Sequence, residues 1–170
     1  MHVIAYNSEL YKNLSDATRG VKGLAIIAVF IEVGKEIDKS FYYISKELQW
    51  LQYKGSMTMV RDISLAHLLP KTSEYVTYEG SLTQPGCYET VTWVLLNKPM
   101  RISKDQLSAL RVLYKGRDNE PGMSLESNSR PLMPLNHRVV RTNINTHKRT
   151  RLCSMERDMF YQVNSRYLRA

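Results

Sequence analysis

The distribution of apolar positions divides the first two thirds of the chain into short, glycine-punctuated elements. His2 to Tyr6 (HVIAY) is rich in β-branched and aromatic side chains and predicts a short strand. Leu24 to Val33, bounded by Gly23 and Gly34, is almost unbroken in its apolar residues instead of alternating. That pattern predicts one strand buried on both faces. From Lys35 to Leu51, Ile37, Phe41, Ile44, Leu48 and Leu51 recur at steps of four and three, which predicts an amphipathic helix. Tyr75 to Tyr78 and Thr90 to Leu96 are dense in Val, Thr, Tyr and Trp and predict two further strands. Ser103 stands three residues before Gln106, the spacing of a capping box, with Leu107, Leu110 and Leu113 following on one helical face. Arg130 to Pro134 predicts a proline-punctuated loop, and Val139-Val140 a short strand near a sheet edge. Strands outnumber helices, so the expected class is α+β, centred on a sheet.

At 170 residues the chain can bury a core of its own, and 43% apolar with 24% charged residues is the composition of an ordinary globular protein. No apolar run exceeds the eight residues of Leu24 to Ile31, far short of the roughly 20 that a membrane span needs. Met1 is followed by His2, without the basic and apolar regions of a secretory leader, so the start taken literally reads as cytoplasmic. The net charge is +8, and the stretch from Arg138 to Ala170 carries eight basic and two acidic residues, or +6 of that total. Such a stretch favours acidic partners or anionic surfaces. The charge sets no sharp boundary of its own; a folded domain over residues 1–145 and a basic tail over 146–170 are implied by the likeness described below. The run His147-Lys148-Arg149-Thr150-Arg151 is the sole feature pointing towards nucleic acid, and it has no recognised binding motif around it, so no nucleic-acid partner is expected.

The candidate chemistry is sparse. A tetrahedral zinc centre with catalytic competence takes three protein ligands and leaves the fourth position for water. The four histidines, His2, His67, His137 and His147, are at least ten residues apart, and there is no His-x-His, Glu-x-x-His or Cys-x-x-Cys pair. Two cysteines, Cys87 and Cys153, permit one internal bridge. Asn13-Leu14-Ser15 is an acceptor tripeptide for N-glycosylation in a secreted chain.

One segment is far more specific. YVTYEGSLTQPGCYETVTWVLLNKP, from Tyr75 to Pro99, resembles the segment that forms the active-site floor of the α-carbonic anhydrases, and Pro85-Gly86-Cys87-Tyr88-Glu89-Thr90 looks most like the carbonic anhydrase-related proteins X and XI. His2-Val3-Ile4-Ala5-Tyr6-Asn7 resembles the family's His-Leu-Val-His-aromatic-Asn strand, and Gly23 to Gly34 the strand after it. Arg130-Pro131, Pro134-Leu135, Arg138 and Arg141-Thr142-Asn143 resemble its closing segment, so the likeness runs from about Met1 to Asn145, the C-terminal portion of the family's domain.

The resemblance implies a large, mostly antiparallel twisted sheet. It places His2 at one of three zinc-ligand positions, with the other two on a His-x-His strand that has no counterpart in this sequence. Leu82 matches the pocket wall, Thr83 the hydroxyl that orients zinc-bound water, and Gln84 a position that is a small hydroxyl residue in active members. Ile26 and Val91 match apolar positions on the CO₂ side. The implied function is that of a catalytically inactive, zinc-free relative: a secreted or cell-surface interaction module. The alternative is a fragment of an active zinc-dependent carbonate dehydratase. Cys87 resembles a cysteine that secreted members bridge to one nearer their N-terminus. Here a free thiol, a bridge to Cys153 and a bridge to another chain all stay open. In the X and XI subgroup a tail cysteine accompanies binding to neurexin receptors, and Cys153 lies in a comparable tail.

Overall fold

The computed structural model describes residues 1–61, 63–118, 122, 124–125 and 129–144. Tail residue Cys153, the His147 to Arg151 run and the proposed boundary at 145/146 lie outside them. The described chain separates into two compact units, one of residues 1–28, 72–98 and 132–144, the other of 29–71 and 99–131.

The first unit is built on a five-stranded sheet. Its strands are β1 (His2–Tyr6), β2 (Leu24–Ala28), β4 (Tyr75–Gly80), β5 (Val91–Leu96) and β7 (Arg141–Thr142), in the order β1-β2-β5-β4-β7. Only β2 and β5 run parallel; the other three pairings are antiparallel. Directly opposed residues share a face, so the registers define three rungs of one surface. They are Tyr6–Leu24–Val91–Gly80, Ile4–Ile26–Trp93–Tyr78 and His2–Ala28–Leu95–Val76. Leu24, Ile26, Val91 and Trp93 from this surface join Ala17 and Leu82 in the buried core. Ala17 comes from α1 (Leu14–Arg19), which Asn13 caps by accepting from the backbone N–H of Asp16 at 2.9 Å.

The second unit holds a two-stranded parallel sheet of β3 (Ile31–Gly34) and β6 (Met100–Ser103), with α2 (Lys39–Ser45), a 3₁₀ turn at Leu48–Trp50, α3 (Leu65–Leu68) and α4 (Lys104–Arg111). The predicted capping box is present: the Ser103 hydroxyl accepts from Gln106 N–H at 3.2 Å, and Gln106 Oε1 accepts from Ser103 N–H at 3.1 Å.

Three expectations need correction. The apolar run from Leu24 to Val33 is two strands in two sheets, separated at Val29-Phe30. Its parallel partner explains the break: between β5 and β6 lie Asn97, Lys98 and Pro99, and a proline cannot donate to a ladder. Nor is β2 buried on both faces, since Ala25 is exposed and Ile27 half-buried. The helix expected over 35–51 is instead a short α-helix over Lys39–Ser45 followed by a separate 3₁₀ turn at Leu48–Trp50; the Asp38 carboxylate accepts from Phe41 N–H at 2.7 Å and sets the N-cap there, leaving Ile37 exposed. The edge strand expected at Val139-Val140 forms two residues later. There Thr142 Oγ1 donates to Tyr75 C=O, and Asn143 Oδ1 accepts from Tyr75 N–H at 2.9 Å. Polar side chains, not the valines, fasten that edge.

Candidate functional site

His2, Ile26, Leu82, Thr83, Gln84 and Val91 fall on the first unit's apolar sheet face and on the loop after β4. Trp93 is their centre. It is buried, its indole N–H donates to Ser81 C=O at 3.2 Å, and Tyr78 stacks on it with ring centroids 6.5 Å apart. His2, on the edge strand, meets the Trp93 ring edge-on, with centroids 4.9 Å apart and planes at 71°. Partial burial lowers the His2 pKa, and the positive charge of the chain's N-terminal ammonium lowers it further. Both effects favour the neutral imidazole, the form a metal ligand must have.

The loop from Ser81 to Thr90 is closed by two backbone hydrogen bonds, Leu82 N–H to Tyr88 C=O at 2.9 Å and Cys87 N–H to Gln84 C=O at 3.0 Å. Its turn needs two left-handed residues, Gly86 at φ 104° and Cys87 at φ 45°. A side chain at Gly86 would also press against the Tyr88 ring, 2.7 Å from where its Cβ would sit. At the loop's end Thr90 is buried, and its hydroxyl donates to Thr18 C=O at 2.8 Å, anchoring the loop to α1.

This geometry sorts the candidates. Leu82, Ile26 and Val91 sit together in the core, the last two only 1% exposed, so they are packed side chains in this chain and not an open wall. Thr83 and Gln84 are exposed on the loop beside them. Cys87 is half-buried and makes no bridge among the described residues. Asn13 is exposed, with its amide N–H donating to Asp16 Oδ2 at 2.9 Å. His137 lies in a turn at φ 59° and His67 on α3 of the second unit. Sequence reasoning did not foresee Trp93 and Tyr78 as the aromatic surround of His2. The signal was the period of two, but reading it needed the strand register, which pairs Trp93 with Ile26 and Tyr78.

Zinc bound as in an α-carbonic anhydrase would require three imidazoles around one point. Among the described residues no three His, Cys, Asp or Glu side chains converge in a way that would hold a metal ion. The residues described therefore do not fit the ion.

A sheet of mostly antiparallel strands, Trp93 and Val91 packed with Leu82 of a Ser-Leu-Thr loop, and a histidine on the edge strand one strand removed are the features of a carbonic anhydrase-type domain. The family model for eukaryotic-type carbonic anhydrase matches residues 1–144, and the chain belongs to that family. Among curated relatives, carbonic anhydrase-like protein 2 of Caenorhabditis elegans is 44% identical over 146 residues, 85% of this chain and 43% of that protein. Carbonic anhydrase-like protein 1 of the same organism is 36% identical over 144 residues, 85% of this chain and 40% of that protein. The chain thus spans about two fifths of the length of these relatives.

Proposed function

We propose that this chain is a catalytically inactive carbonic anhydrase-related module of the X and XI type, without zinc, acting by binding other proteins. The observation that carries the reading is the donor set. One imidazole, His2, stands against an indole edge, and among the described residues no three His, Cys, Asp or Glu side chains gather to hold a metal ion. A metal-bound hydroxide at neutral pH depends on a firmly held ion, and one imidazole does not hold it. Thr83 then has no metal-bound water to orient, and Leu82, Ile26 and Val91 serve as core. In this reading the module is secreted, Asn13 carries a glycan, and a neurexin-like surface receptor is the partner, engaged through the tail around Cys153.

The relatives' additional length favours a second reading, in which chain outside these residues supplies the remaining ligands and the assembled domain is a working enzyme. Metal analysis of the purified 170-residue chain, run beside stopped-flow CO₂ hydration, tests the first reading. We expect zinc far below stoichiometric and hydration at the buffer rate. One zinc per chain with sulfonamide-sensitive turnover would end the inactive reading. For the partner, Cys153→Ser should abolish a disulfide-linked receptor complex on non-reducing gels, and an unchanged complex would remove Cys153 from the proposal.

A further inference from the structure

In the second unit a recess of about 200 Å³ opens between α2 and α3. Lys39, Ser40 and Tyr43 line it from α2, and Ile63, Ser64 and His67 from α3 and the residues before it. The lining is chemically one-sided: an ammonium, an imidazole, three hydroxyls and one aliphatic side chain, with no carboxylate among the described residues. None of the five polar side chains makes a hydrogen bond to another described residue. Ser64 holds the N-cap position of α3 yet makes no capping bond, so its hydroxyl is not used by the helix. The nearest acid on α2, Asp38, is engaged by Phe41 N–H at 2.7 Å. Lys46 Nζ lies 5.3 Å from the Tyr43 ring centre but is paired with Glu47 at 3.8 Å, so it adds little charge to the recess.

Hydroxyl and N–H donors gathered beside an ammonium, with no carboxylate among the described lining residues, suit an anion. The volume equals roughly seven waters at their share of the liquid. That admits one tetrahedral oxyanion with a few waters left beside it. We infer that this recess binds a small tetrahedral oxyanion of the phosphate or sulfate class. Lys39 and His67 supply charge-assisted contacts, and Ser40, Ser64 and Tyr43 supply O–H donors.

The test is NMR titration of the full 170-residue chain with inorganic phosphate, and separately with sulfate, following the His67 ring signals. Constant ionic strength removes the nonspecific effect of salt. We expect a saturable one-site shift. Lys39→Gln should weaken binding about tenfold, the loss of one charge-assisted hydrogen bond, and Ser64→Ala by a few-fold. Lys54→Gln removes the same charge from a residue outside the recess, and should leave the affinity within about twofold, since exposed charges at a distance are screened. A linear, non-saturating response to both ions would overturn the assignment. So would Lys54→Gln weakening binding as much as Lys39→Gln, which would mean that net charge, and not the recess, attracts the ion.

Discussion

Gln106 offers the sharpest test of how the second unit is held. The residue is 4% exposed, and its amide does three things at once. Oε1 accepts from Ser103 N–H at 3.1 Å and from Asp38 N–H at 2.9 Å, and Nε2 donates to Asp38 C=O at 2.8 Å. It therefore completes the cap of α4 and joins it to the N-cap residue of α2, 68 positions away in sequence. Gln106→Leu keeps most of the volume and removes all three bonds. At about 1 kcal/mol each, the unfolding free energy should fall by about 3 kcal/mol. Gln106→Glu separates the contributions. It retains the two accepted bonds, but at neutral pH sets a carboxylate oxygen against the Asp38 carbonyl in a buried site. Burial and that contact raise the carboxyl's folded pKa above its unfolded value of about 4.3. The penalty is thus full above the folded pKa and disappears as pH falls through it towards the unfolded one. There the protonated acid donates to Asp38 C=O as the amide did. Urea unfolding at several pH values, read as a midpoint shift at constant slope, measures both variants. A Gln106→Leu chain within 1 kcal/mol of the parent, or a Gln106→Glu penalty that does not change with pH, would refute this account of the clamp.

Three further outcomes follow from the first unit. His2 has a folded pKa below its unfolded value of 6.5. The neutral ring's share of stability is therefore complete above that value and lost as pH falls through it. Urea midpoints should decline on acidification from pH 7.5 to 5, and more steeply than in His2→Gln; parallel profiles would contradict the shift. The N-terminal ammonium, also lowered by burial, contributes in the same direction from its ordinary 8.0 downwards and is common to both chains. When the chain is expressed behind a secretory leader, Ser15→Ala should remove a glycosidase-sensitive mass without loss of stability. Asn13→Ala should remove the same mass and cost about 1 kcal/mol through the lost α1 cap. A parent chain with no such mass would exclude the glycan.

Much of this architecture was legible in the residues. The strand at His2–Tyr6 and the capping box at Ser103–Gln106 matched the sequence reading, and β4 and β5 were placed correctly apart from a few terminal residues. Each depends on side-chain type at short spacing, which a linear reading contains. The motifs from Gly80 to Trp93 pointed to the family that the comparison established.

What escaped the linear reading was set by partners distant in sequence. Whether Leu24 to Val33 was one strand or two depended on Pro99, about 70 residues on, because a ladder continues only as far as its neighbour does. That Gln106 would be buried, and would serve Asp38 as well as its own helix, followed from α2 and α4 coming together. The sequence by itself determined which residues could be the floor of a carbonic anhydrase-type domain, and that a paired-histidine motif is missing. Only the tertiary structure decided that His2 meets an indole edge, that Ile26 and Val91 are closed into the core, and that Lys39 and His67 share one recess. Apolar patterning states which side chains must leave water, whereas strand register and helix packing select what each of them touches.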